Sequence, residues 1–541
     1  MKIALAQLSY HVGNFEENSF KIINAIHRAE NEGADLIVFS ELAICGYPPR
    51  DFLEFEEFID ECLQQIQNIA KHCINIAAIV GGPSRNSSLR GKKLYNSAYF
   101  LSEGIIKNVF HKTLLPNYDI FDEYRYFEYN SEFKILKFKG EKIALTICED
   151  IWNISEKLYE LDPMEELVKQ GTTLMINIAA SPFNYQQATI RQNILKANFA
   201  KYKVPIVYCN HSGAQTELIF DGGSLFINKN GCIAEELSYF KEDFKIIDTA
   251  NNSKINAFVE QHKTEAMHNA LVLGIKDYFR KLGFKKALLG LSGGIDSAVV
   301  FALAAEALGA ENVLGVLMPS QFSSDHSISD AKKLAQNLNA GTHLIEIEPL
   351  FAEFSSELAP VFQGLPFGLA EENLQARIRG TLLMAVSNKF GHILLNTTNK
   401  SEAAVGYGTL YGDMNGGLSV LGDVYKTEVY ELAKHINRNQ EIIPLNSIVK
   451  APSAELRPGQ KDSDSLPEYD ILDQILFQYI ELRKGPKAII QSGFEEAIVR
   501  KVIKMVNTTE YKRHQSPPIL RVSPKSFGTG RRMPIVAKYL Q

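Results

Sequence analysis

The chain comprises 541 residues, of which 45% are apolar and 22% charged, with 36 glycines and 20 prolines. These ordinary globular proportions exclude disorder, collagen and coiled coil, and the length calls for two large domains or three to four smaller ones. A net charge of −6 argues against a nucleic-acid partner, and the longest uncharged apolar runs, such as 298–305, fall far short of the roughly 18 residues of a membrane span.

In chain order, residues 3–8 read as a buried strand. Phe15, Ile22, Ile23, Ile26 and Ala29 then mark one face of a helix capped at Asn14. A strand at 36–39 follows, then a helix through Phe58, Cys62, Ile66 and Ile69, and strands near 76–80, 98–101, 143–147, 174–178 and 206–209. Strands alternating with helices predict a layered α/β domain. The polar stretch 239–255 reads as a linker. Beyond it come a helix over 265–282, a strand at 286–291 and further strands at 313–317, 343–347 and 392–396. Residues 407–422, rich in glycine, and 451–466, carrying Pro, Ser and Asp, read as mobile loops.

Six cysteines (Cys45, Cys62, Cys73, Cys148, Cys209 and Cys232) form no Cys-x-x-Cys pair, and the opening residues turn polar too early for a secretory signal. The expectation is a soluble cytoplasmic protein with free thiols. All six precede residue 233, which predicts two regions with different chemistry.

Ser292-Gly293-Gly294-Ile295-Asp296-Ser297 joins a strand to a helix N-terminus. Small residues there aim backbone N–H groups and the helix dipole at an anion, and the glycines let a phosphate approach unobstructed. No Gly-x-x-x-x-Gly-Lys is present, so the loop is not of the Walker type. The hexapeptide resembles the pyrophosphate loop of ATP pyrophosphatases, which adenylate a substrate oxygen. That resemblance implies ATP contacts along Gly290, Leu291, Ser292, Gly293, Gly294, Ile295, Asp296 and Ser297. Asp296 would also hold magnesium, which prefers a hard carboxylate. Within that family, the lack of cysteine after Cys232 favours amide formation over sulfur transfer. The stretch from Glu371 to Gly380, and Asn396-Thr397-Thr398-Asn399-Lys400-Ser401-Glu402, resemble signatures of NAD synthetases. They imply ATP contacts at Thr397 and Lys426 and deamido-NAD contacts at Asn373, Glu402 and Lys512, with Glu402 a second candidate magnesium ligand.

An amide-forming ligase needs ammonia. Glu41 and Cys148 end strands, and Lys112 follows an extended run. The set suits amide hydrolysis: a thiol nucleophile at Cys148, Glu41 as its base, and Lys112 with a backbone N–H for the oxyanion. Cys62, Cys73 and Cys209 read as small core hydrophobes. Glu41, Lys112 and Cys148, with Gly46-Tyr47-Pro48-Pro49, resemble the nitrilase superfamily, and Leu115-Pro116-Asn117-Tyr118 resembles the glutaminase domain of glutamine-dependent NAD synthetases. The resemblance implies glutamine contacts at Tyr118 and Ser181, and at Gln187, where family members often carry a lysine. It gives Glu123 a supporting role beside the triad.

Taken over the whole chain, the resemblance implies a nitrilase-like α-β-β-α sandwich over 1–250. A Rossmann-like adenine nucleotide alpha hydrolase domain with a parallel sheet would follow over 251–541. It implies a cytoplasmic ligase, dimeric or larger, that takes glutamine, ATP and deamido-NAD with Mg2+ and binds neither nucleic acid nor membrane. Three rivals remain: another glutamine-fed ATP pyrophosphatase, a tRNA-modifying enzyme and a non-catalytic binding module. Pyrophosphate release with deamido-NAD, compared with other carboxylates, separates them.

Overall fold

Strand Lys2–Gln7 (β1) shows how strict alternation builds layers: Ile3 and Leu5 enter one buried cluster, Ala4 and Ala6 another. The computed structural model describes residues 1–88, 90–154, 158–250 and 262–540. It divides into two units, Met1–Gln261 and His262–Gln541. In the first unit β1 is followed by α1 (Phe15–Asn31), β2 (Leu36–Val38), α2 (Glu56–Ala70), β3 (Ala77–Arg85), β4 (Leu94–Ser102), β5 (Ile105–His111), the single turn α3 (Glu123–Tyr126), β6 (Leu136–Phe138) and β7 (Glu141–Ile147). Then come α4 (Pro163–Val168), β8 (Leu174–Ala179), α5 (Gln187–Tyr202), β9 (Ile206–Asn210), β10 (Ser212–Gln215), β11 (Leu218–Asp221), β12 (Leu225–Ile227), β13 (Ile233–Glu236) and β14 (Asp243–Asp248).

Two six-stranded sheets result, in the orders β14-β1-β2-β3-β4-β5 and β13-β12-β9-β8-β7-β6. One cluster joins them: Ile3, Leu5, Val38, Ile79 and Phe100 of the first sheet with Ile147, Ile176 and Val207 of the second. The Cys209 thiol lies 3.3 Å from the Val38 carbonyl oxygen, so a small side chain lets the sheets approach there. Outside the first sheet, Ile22, Ala25 and Ile26 of α1 and Ile59, Cys62 and Ile66 of α2 pack on Ala4, Ala6, Ile37 and Val80. Met164 and Leu167 of α4 and Leu195 of α5 join the cluster of the second sheet. This is an α-β-β-α sandwich. Asn14 caps α1 through Glu17 N at 3.3 Å.

One expectation changes here. The polar stretch read as a linker contains β14, an edge strand antiparallel to β1 with Ile3 opposite Ile247. An edge strand covers only one neighbour and needs little apolar character, which is why its composition resembles a loop. Residues 251–255 of that stretch lie outside the described residues.

The second unit begins with α6 (Lys263–Leu282), β15 (Ala287–Gly290), α7 (Ile295–Leu308), β16 (Val313–Leu317), α8 (Asp325–Leu338), β17 (Gly341–Leu344), α9 (Glu348–Phe362) and α10 (Leu369–Phe390). It continues through β18 (Ile393–Asn396), α11 (Lys400–Val405), β19 (Leu418–Ser419) and α12 (Lys426–Ile436). Its sheet has the order β17-β16-β15-β18-β19 with every ladder parallel. The chain moves outward from β15 to β17 and returns to the other side of β15 at β18. That reversal opens a crevice at the carboxyl ends of β15 and β18. Strand β17 ends at Leu344, earlier than the apolar residues Ile345 and Ile347 suggest, because an exposed edge strand needs no apolar run. No helix among the described residues is long and apolar enough to cross a membrane.

Ile176 in β8 is fully buried in the core that joins the two sheets. Ile176→Ala is expected to destabilise the first unit by about 2–5 kcal/mol, read as a lower urea midpoint at unchanged slope.

Candidate active sites

In the first unit, the turns that follow β2, β5 and β7 bring Glu41, Lys112 and Cys148 together. The Lys112 ammonium is fully buried, so all three of its protons need acceptors. It lies 2.7 Å from Glu41 Oε1 and 2.9 and 2.8 Å from the two oxygens of Glu123. Asn96 Nδ2 bridges the same carboxylates, at 2.7 Å from Glu41 Oε1 and 3.3 Å from Glu123 Oε2. Ala180 N donates to Glu41 Oε2 at 3.0 Å and Tyr47 OH to Glu123 Oε1 at 3.0 Å. Asp150 accepts from Thr113 N, Leu114 N and Ile147 N, at 2.8 to 2.9 Å, and so ties the segment after Lys112 to the turn that carries Cys148. Cys148 sits immediately after β7 with φ of 43°, left-handed backbone that a non-glycine residue adopts only under constraint.

The charges explain the chemistry available. Burial disfavours the Lys112 ammonium, yet Glu123 and Glu41 hold it well above its usual range. Burial pushes the Cys148 thiol well up, the Glu41 carboxylate adds to the push, and Lys112 opposes it. Cys148 therefore rests as a thiol and needs a base to react. Burial lifts Glu123 to about 7 against the pull of Lys112, with Glu41 adding to the rise.

Tyr118 is 43% exposed, and its hydroxyl donates to Glu149 Oε1 at 2.9 Å, where Tyr159 OH also donates at 3.0 Å. Burial raises the Glu149 carboxyl. Ser181 Oγ accepts from Gln187 Nε2 at 3.3 Å, and Ser181 N donates to Asn210 Oδ1 at 2.9 Å. Nothing in the sequence marks Asn96, Tyr159 or Asn210, and it marks Glu149 and Asp150 only as neighbours of Cys148.

In the second unit a cavity of ≈ 300 Å³ opens at the ends of β15 and β18. Gly290, Leu291, Ser292, Gly294, Ile295, Asp296 and Ser297 line it, as do Thr397, Glu402 and Lys426. Gly293 stands behind the loop with φ of 80°, and a Cβ there would meet the Ser327 carbonyl oxygen at 2.2 Å, so only glycine fits. Asp296 accepts from Lys426 Nζ at 2.5 Å and from Asn399 Nδ2 at 3.0 Å. Asn399 and Glu402 cap each other at the start of α11, through Glu402 N at 2.9 Å and Asn399 N at 3.2 Å. Glu402 Oε1 lies 3.8 Å from Lys426 Nζ. Burial and then Asp296 push the Glu402 carboxyl well up, with Lys426 opposing. Burial lowers the Arg379 guanidinium, which also lines the cavity, to about 10.

Asn373 and Lys512 do not line this cavity. Asn373 accepts from Thr409 Oγ1 at 2.6 Å, and Lys512 Nζ donates to the carbonyls of Gly406 and Gly408 at 2.8 and 2.7 Å. Both hold the 406–409 turn, whose Tyr407 does line the cavity. Segments 407–422 and 451–466, expected to be loops, contribute Gly412, Asp413, Glu455 and Asp462 to its wall. Lys400, at the start of α11, is fully buried. It bonds to Glu481, Asp423 at 2.9 Å, Ser523 Oγ at 2.7 Å and the Lys525 carbonyl at 2.8 Å.

Residues 2–253 match the carbon-nitrogen hydrolase family, and 267–516 match the NAD synthase family. The chain is 48% identical to the glutamine-dependent NAD(+) synthetase of Synechocystis sp., over 99% of each protein. With the Thermotoga maritima protein of the same name it shares 40% identity, over 100% of this chain and 99% of that one. Among solved structures, the Acinetobacter baumannii glutamine-dependent NAD+ synthetase in complex with adenosine diphosphate superposes with a TM-score of 0.79 at 38% identity. That match covers 99% of this chain and 98% of the other.

Two outcomes follow from the buried charges. Lys400→Met leaves Asp423 and Glu481 without their cation and is expected to cost about 3–5 kcal/mol in denaturant unfolding of the second unit. Glu123 takes up a proton on folding between the ordinary carboxylate range and about 7. Its contribution to stability is complete below that window and is lost as pH rises through it. Urea midpoints between about pH 5 and about pH 8 are therefore expected to fall more steeply in the wild type than in Glu123→Gln.

Proposed function

The chain belongs to the glutamine-dependent NAD(+) synthetase family, and from that membership we propose how its residues divide the reaction. The first unit hydrolyses glutamine. The second uses ATP to convert the nicotinate carboxylate of deamido-NAD to an adenylate, and ammonia displaces AMP to give NAD. What carries the assignment of residues is the buried Lys112, clasped by Glu41 and Glu123 beside a thiol on strained backbone.

Glu41 takes the proton of Cys148 as sulfur attacks the carboxamide carbon of glutamine. Lys112 and a backbone N–H beside Cys148 stabilise the oxyanion. Glu41 then returns the proton to the leaving nitrogen, ammonia departs and a thioester remains. Water attacks that thioester, with Glu41 again taking the proton and the thiolate leaving. Glu123 and Asn96 keep the ammonium and the base in register. Ser181 and Tyr118 hold the substrate, supported by Gln187, and the Glu149 carboxylate suits its α-ammonium.

In the second unit, the backbone of 290–297 cradles the phosphates, and Lys426 and Thr397 hold the ATP. Asp296 and Glu402 both pair with the Lys426 ammonium, at 2.5 and 3.8 Å, and bring two carboxylates to the cavity wall. Those hard carboxylate donors fit Mg2+, which Asp296 and Glu402 would hold. When bound, Mg2+ screens the phosphate charge during activation. Asn373 and Lys512 serve deamido-NAD through the turn they support. Six free cysteines support a reducing, cytoplasmic setting. Exposed Leu350, Phe354 and Val361 on α9, Leu365 in the turn after it and Leu369 at the start of α10 support a homo-oligomer.

With glutamine as sole nitrogen source, Cys148→Ala is expected to make no NAD, while ammonium-driven synthesis stays within about threefold of wild type. Asp296→Asn is expected to lower pyrophosphate release with deamido-NAD by about 10²-fold whichever nitrogen source is supplied.

A further inference from the structure

Arg191 on α5 and Asp221 at the end of β11 form a bidentate pair, with NH1 3.0 Å from Oδ1 and NH2 2.9 Å from Oδ2, and each side chain is 1% exposed. Burying two charges this completely gains little stability: apolar replacements of similar volume commonly do as well or better. The two ends of the pair lead to one place. From Arg191 the path runs back one helical turn to Gln187, on the same face of α5, whose amide donates to Ser181 Oγ at 3.3 Å. From Asp221 it runs to the neighbouring Gly222, whose carbonyl accepts from Asn210 Nδ2 at 2.8 Å. Asn210 Oδ1 in turn accepts from Ser181 N at 2.9 Å. The residue before Ser181, Ala180, gives its N–H to Glu41 Oε2 at 3.0 Å.

We propose that the Arg191–Asp221 ion pair positions the glutamine site, locking the start of α5 against β11 so that Ser181 presents both its hydroxyl and its backbone at one fixed place. Neither residue touches substrate; both are positioning residues. The guanidinium fork supplies what a single ammonium cannot, a fixed angle between helix and strand. The inference rests on Ser181 contacting glutamine, as proposed above.

The test compares Arg191→Met/Asp221→Leu, Arg191→Lys and Ser181→Ala in steady-state synthesis driven by glutamine and by ammonium salts, with thermal melts of each variant. The double variant removes both charges while keeping apolar bulk, so its melting temperature is expected to stay near or above that of wild type. Its KM for glutamine is expected to rise about tenfold, with kcat changing less than about threefold and ammonium-driven synthesis unchanged. Arg191→Lys, which keeps the charge and loses the fork, is expected to lie between the two. Wild-type KM for glutamine in a double variant that melts normally overturns the proposal. So does a loss of glutamine-driven kcat at unchanged KM, which marks a merely structural role. Should the double variant not fold, wild-type KM in Arg191→Lys overturns it equally. Ser181→Ala separates the two readings: if it leaves the glutamine KM unchanged, the substrate role of Ser181 fails first. If it raises KM and the ion-pair variants do not, only the positioning inference fails.

Discussion

A lysine ammonium with no exposure to water is the constraint around which the first unit is organised. Stripped of solvent, Lys112 must take all its partners from the protein, and it takes them from two carboxylates that lie 71 and 11 residues away in the chain. Those contacts fix where the ends of β2 and β5 and the turn α3 meet. Asp150 draws three backbone N–H groups to one carboxylate and seats Cys148 beside that meeting point. The same clustering sets the reactivity. Burial and the Glu41 carboxylate push the Cys148 thiol up, so it rests protonated, with Lys112 opposing the push.

The second unit solves a related problem. Lys426 lines its cavity but is almost fully buried, and it is held there by Asp296 and Glu402. A fully buried cation, Lys400, stands one layer back, joining α11 to the segment around 523–525. One lysine therefore lines the cavity and the other anchors the helix that carries Glu402.

The alternation of Ile3, Leu5, Ala4 and Ala6 already states which face of β1 meets a sheet and which meets helices, and the buried runs of the central strands were legible for the same reason. Strands β14 and β17 escaped, in whole or in boundary, because edge strands carry polar residues. At the sites, residue type singled out Glu41, Lys112 and Cys148, which the fold brings together, and the glycine-rich loop, which lines the cavity of the second unit. Asn96 did not announce itself: an asparagine in a strand carries no chemical signature, and its use depends on Glu41, 55 residues away, arriving opposite it. Arg191 and Asp221, 30 residues apart, were silent for the same reason. Asn373 and Lys512 stand out by resemblance, but their bonds to the 406–409 turn depend on folding and could not be read from spacing.

The most direct measurement follows the nitrogen atom. Amide-15N-glutamine is supplied with unlabelled ammonium salt, and the carboxamide nitrogen of the NAD formed is read by mass spectrometry, for the wild type and for Lys112→Met. The wild type is expected to place the label in NAD. Lys112→Met, with the buried ammonium gone and two buried carboxylates left unpaired, is expected to make NAD from ammonium alone, without label. Labelled NAD from Lys112→Met in the wild-type proportion would contradict the central role of the buried ammonium.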